Sequence, residues 1–102
     1  MSKVDVYNSS EYLDCRAIRI AFSCSKCDLT IRTGKIKVPE IGRAIESDNG
    51  FVQETKYISC PECTERFEII MVNGVENSKV TVEGDGDISS AEMEAIPELN
   101  SN

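Results

Sequence analysis

The sequence predicts a small, mainly β protein. Three features carry that reading: runs in which apolar and polar residues alternate at period two, a β-rich run past the midpoint, and turn residues between the runs. At 102 residues, 40% of them apolar, with three Phe, three Tyr and no Trp, the chain is one unit with a modest core.

The first stretch, 1–14, places Val4, Val6, Tyr7, Tyr12 and Leu13 either along a sheet edge or over the core as a cover. Arg16 to Cys24 alternates as a strand does, with Ile18, Ile20, Phe22 and Cys24 on one face and Ala17, Arg19, Ala21 and Ser23 on the other. Leu29 to Val38 reads as a second strand, broken near Thr33-Gly34 and ended by Pro39. Glu40 to Glu46 is expected to form a helical turn or two with Ile41, Ala44 and Ile45 on one side, before the turn cluster Ser47-Asp48-Asn49-Gly50.

Phe51 to Cys60 is a further strand, with Ile58 and Cys60 on one face and Tyr57 opposite. Arg66 to Val72 follows as a strand that ends in Asn73-Gly74, a hairpin signal because both residues tolerate positive φ. The returning arm starts at Val75 or, after a longer turn through Ser78, runs from Lys79 to Val82.

Beyond Val82 the charge changes. Net charge is −7, and six carboxylates with no Lys or Arg lie from Glu83 onward, so the body is nearly neutral. This divides the chain into a body, 1–82, and an acidic C-terminal tail, 83–102. In the tail, Gly84-Asp85-Gly86-Asp87 reads as a flexible hinge, and Ser89 with Glu92 forms a capping box beside an Ile88–Met93 staple. A short helix from Ser90 to Ile96 is expected, ended by Pro97. The tail then either solubilises the chain or docks on a basic surface of a partner.

Four of the five cysteines stand in two pairs, Cys24-Ser25-Lys26-Cys27 and Cys60-Pro61-Glu62-Cys63. A C-x-x-C turn converges two thiolates from one short stretch, and two such turns complete a tetrahedron around one ion. The spacing therefore predicts a structural Zn2+ site of Cys24, Cys27, Cys60 and Cys63. Two disulfides are the alternative, but the polar start Met1-Ser2-Lys3-Val4-Asp5 does not resemble a secretory signal, and the odd cysteine count favours a reducing cytosol. Cys15 stands apart and is expected to pack as a small hydrophobe.

A C-x-x-C after a strand, followed by a C-P-x-C knuckle that leads into another strand, resembles a zinc ribbon. The resemblance covers roughly 18–72 and implies a structural metal on those four cysteines. The segment from Tyr57 to Cys63 with Ile69-Ile70-Met71-Val72-Asn73 also resembles the second half of Com, a small zinc-binding translational regulator of Mu-like phages. Rubredoxins likewise pair two C-x-x-C turns in an acidic chain, and they hold iron for electron transfer. Their knuckles are followed by Gly, where this chain has Asp28 and Thr64.

Catalysis is not expected. The chain has no His, the commonest general base, and a site closed by four thiolates leaves no position for water. No stretch is apolar and long enough to span a membrane. Arg32, Lys35 and Lys37, with Lys26 and Arg43 nearby, form the one candidate patch for nucleic acid, although the net charge opposes such binding and no aromatic interleaves them. The expected function is that of a non-enzymatic adaptor or regulator acting on a protein partner in the cytoplasm. Small acidic modules suit inhibitors that occupy basic surfaces, including viral proteins acting on host nucleic-acid machines in the host cytoplasm. The alternative is a nucleic-acid-binding regulator of transcription or translation.

Overall fold

In a computed structural model, which describes residues 2–96, the chain forms two antiparallel sheets and one short helix, mostly β as expected. One sheet has the order β1 (Ser2–Ser9), β7 (Ser78–Gly84), β6 (Arg66–Gly74), β5 (Phe51–Ser59). In the other, β2 (Ala17–Cys24) is central: β3 (Leu29–Arg32) and β4 (Ile36–Lys37) share one of its edges, and β8 (Ile88–Ile96) fills the other. The helix α1 (Ile41–Glu46) packs against β5 and β6.

The sheets meet through the residues that period-two alternation aligns. Ile18, Ile20 and Phe22 of β2 join Phe67, Ile69 and Met71 of β6 and Val80 and Val82 of β7 in one buried cluster. The Phe22 and Phe67 rings meet edge to face at 4.9 Å between centroids. Phe67 lies over Gly84, its cross-strand partner, where a Cβ would collide with the ring. Gly84 is thus the buried end of β7, placed there by the ring above it, and only 85–87 connect β7 to β8.

Three expectations are corrected. Ser90 to Ile96 is a strand, not a helix, and pairs with β2 from Ala17↔Ile96 to Cys24↔Ile88. Helix formation there would leave the backbone of β2 unpaired on one edge, whereas pairing satisfies it and sets Ala91 and Met93 against the core. Asn73 is not a tight-turn residue: β6 runs through Gly74 and pairs Asn73 with Ser78, which selects the longer turn. Its buried amide accepts from Leu13 N–H at 2.7 Å and donates to the carbonyls of Leu13 and Pro39 at 3.1 and 2.8 Å. This ties two of the three connections between the sheets to the end of β6. On α1 only Ala44 is buried, while Ile45 is 65% exposed.

Candidate metal centre

The four paired cysteines come together at one end of the two sheets. β2 delivers Cys24 and β5 leads into Cys60, both buried, and each turn returns its second cysteine, half-buried, to the first. All four Sγ atoms lie within 4.8 Å of one another. Cys24 and Cys63 approach to 3.6 Å and Cys27 and Cys60 to 3.3 Å. A tetrahedron with metal–sulfur bonds of about 2.3 Å has corners about 3.8 Å apart, so the cluster is sized for one ion. Disulfide bonds need about 2.05 Å, and all five cysteines are free thiols. Because Cys24 belongs to one sheet and Cys60 to the other, an ion here staples the layers together, as Asn73 does at the opposite end of β6.

The two turns share a backbone device. Asp28 and Thr64, each directly after the second cysteine of its pair, have φ of 55° and 59°, the only non-glycine residues described with positive φ. Left-handed backbone at that place lets the chain leave the knuckle sharply: Thr64 N–H donates to Cys60 O at 3.0 Å and Cys60 N–H to Glu65 O at 2.8 Å. Aspartate tolerates this conformation, but a β-branched threonine is strained by roughly 1–2 kcal/mol. Thr64→Gly is therefore expected to raise stability by about 1 kcal/mol with metal stoichiometry unchanged, read from thermal melts of the metal-loaded protein.

The thiols are not equivalent. Cys27 is pushed up to about 12, first by its hydrogen bond to Cys60 and then by burial. At Cys60 burial acts upward, but backbone N–H groups of Glu62 and Cys63 and thiol hydrogen bonds from Cys27 and Cys63 outweigh it, lowering the thiol to about 7. Cys63 is raised: the backbone hydrogen bond with Glu65 lowers it, and burial with the Cys24 and Cys60 thiols prevails. Cys27 and Cys63 thus hold protons near neutrality that a metal must displace, and acid below about 7 protonates Cys60 as well. Metal affinity is expected to climb with pH between about 6 and 8, with a slope in log K above one, measured by competition with a chromogenic chelator.

The connection before β8 closes over this end. Ser25 donates to Asp87 O through its N–H at 3.2 Å and its hydroxyl at 2.9 Å, and Ser2 Oγ donates to the Asp87 carboxylate at 3.1 Å. Lys26 and Glu65 face each other across the two knuckles at 3.9 Å, with the Glu65 side chain lying over Gly86. The stretch that reads as a hinge is therefore a clasp on the first knuckle. No sequence signal marks Asp87 for this role, because its carbonyl does most of the work and every residue has one.

Cys15 lies outside the cluster, half-buried against the core, its thiol pushed up mainly by burial. The basic residues divide: Lys35 and Lys37 line one cleft with Arg16, while Arg32 lines another with Arg19, Glu92 and Glu94. Lys26 pairs with Glu65, and Arg43 pairs with Glu54 at 2.6 Å. Arg32 and Lys37 sit opposite Ala21 and Ala17 on one edge of β2, while β8 sets Glu92 opposite Ala21 and Glu94 opposite Arg19 on the other. Arg19 and Glu94 approach to 3.9 Å. A carboxylate column thus runs across β2 from the basic one, two strand spacings or about 10 Å away, which is about one Debye length at 0.1 M salt.

These features define a two-sheet β protein with a four-cysteine, knuckle-like metal centre. No family model matches the chain, and no curated protein or solved structure shows significant similarity to it. Among the described residues, no helix is long and apolar enough to cross a membrane.

Proposed function

We propose that the chain is a non-enzymatic regulator, stapled by zinc in the manner of a zinc ribbon, that acts by binding another protein. The closed sulfur cluster carries this reading: four thiolates saturate a tetrahedral ion, so the metal holds structure and offers no site to water or substrate. Soft thiolates in tetrahedral array suit zinc, whose filled shell accepts that geometry without redox chemistry.

The surface that would meet a partner is the outer face of the β1-β7-β6-β5 sheet. Ile70 and Val72 alternate with the buried Ile69 and Met71, so they point away from the core, and across from them lie Thr55 and Gln53. Phe51 and Tyr57 on the same face are 42% and 64% exposed. Glu68 and Glu83 stand opposite one another beside this strip, with Lys3 opposite Glu83 and Lys79 opposite Val72, so the rim is of mixed charge and suits a partner with an apolar centre and a polar rim. Binding to nucleic acid is disfavoured by Glu94 beside Arg19 and by Glu92 across Ala21 from Arg32.

Affinity capture from the source organism with the wild-type chain and with Ile70→Glu tests this reading. A protein retained by the former and lost by the latter, with both holding one zinc, is the expected result. Salt-sensitive nucleic-acid binding that survives Ile70→Glu would replace it with the nucleic-acid regulator.

A further inference from the structure

We propose that β5 pairs antiparallel with β5 of a second copy of this chain, centred on Thr55, joining the two β1-β7-β6-β5 sheets into one. β5 is the end strand of its sheet, and among the described residues no other strand pairs with its outer edge. Nine residues long and free of proline, it presents a row of unpaired backbone N–H and C=O groups.

What selects a second copy as the occupant is the order of its side chains. A two-fold axis at Thr55 sets Glu54 of each copy opposite Lys56 of the other, Val52 opposite Ile58, and Gln53 opposite Tyr57. Both charge pairs are opposite in sign, and both apolar residues meet apolar partners. Shifting the register by two residues in either direction places Glu54 on Glu54 or Lys56 on Lys56. Like charges directly opposite are unfavourable, so the Thr55-centred register is preferred to its two face-aligned neighbours, and shifts by four leave only five of the nine strand residues paired. The charges at this edge are placed to accept it. Arg43 holds the Glu54 carboxylate at 2.6 Å, whereas Lys56 is exposed and has no ion-pair partner among the described residues. A symmetric interface of this kind is isologous and closes at two copies, so it does not propagate into fibres.

Sedimentation of the metal-loaded full chain over a concentration series tests the proposal. The expected result is a species of twice 11.3 kDa at about 100 µM that dissociates on dilution. Lys56→Glu and Glu54→Lys alone are each expected to weaken the dimer about tenfold, because each creates two like-charge pairs. Mixing the two variants is expected to restore a dimer, since one chain then carries only acidic side chains at positions 54 and 56 and the other only basic ones. Combining both substitutions in one chain is expected to restore it as well. A wild-type chain that stays monomeric up to about 500 µM overturns the proposal and leaves the edge to a strand of another protein. So does a mixture no heavier than its components. Neither outcome touches the zinc or partner-binding reading, which rests on the thiol cluster and on Ile70.

Discussion

Cys60→Ser is expected to abolish stoichiometric metal binding and to lower the melting temperature by about 20 °C or more, the largest effect of any single substitution. Cys60 is 1% exposed, and its sulfur lies 3.3 Å from Cys27. Serine puts a hard, protonated oxygen on a shorter bond where a soft thiolate is needed, leaving three ligands and a buried hydroxyl. The cost exceeds one ligand, since without the ion three thiols crowd together with no metal to hold them and the two sheets lose that link between them. A structural zinc can hold about 10 kcal/mol of folding free energy, comparable to the whole stability of a domain this size. Thermal melts with and without chelator, together with elemental analysis, read this directly. Cys15→Ser is the control: it is expected to keep full metal stoichiometry, because Cys15 lies outside the cluster. A Cys15→Ser chain that loses its metal would show the ligand assignment to be wrong.

The four-cysteine cluster was legible in the sequence because the C-x-x-C spacing constrains local geometry so tightly that only the return of the second pair remains to be supplied by the fold. β2 was legible for a similar reason: its alternation is strict, and Ile18, Ile20 and Phe22 are all buried. What escaped were relations between distant residues. Ile88 to Ile96 carries a capping box and a staple, local signals for a helix, and they lose to nine residues of backbone that complete the open edge of β2. Asn73 escaped because Asn-Gly is a turn signal, whereas its amide is spent on loops 34 and 60 residues away. The positive φ at Asp28 and Thr64 was hidden by the absence of glycine, the residue that normally announces it.

Truncation after Glu83 is expected to cost the chain its fold, although the stretch removed looks dispensable by composition. β8 contributes pairing along β2 from Ala17 to Cys24, and Ile88, Ala91 and Met93 pack on the shared core. Losing those side chains alone forfeits about 4 kcal/mol, most of a marginal stability. The exposed edge of β2 would then be an apolar template for pairing with other chains, so aggregation is the expected fate of what remains. The cut also removes Asp87, whose carbonyl holds Ser25, so the first knuckle loses its clasp and metal affinity falls with the fold. Charge is separable from structure here. Glu92→Gln with Glu94→Gln keeps the strand and removes the carboxylates beside Arg19 and Arg32, and it is expected to leave the melting temperature within a few degrees. Circular dichroism, light scattering and metal content on the two variants distinguish the outcomes. A truncated chain that stays folded and metal-loaded would show that β8 is an accessory to the sheet, whereas collapse of the truncation beside an intact neutralised variant would place its role in backbone pairing and burial, not in electrostatics.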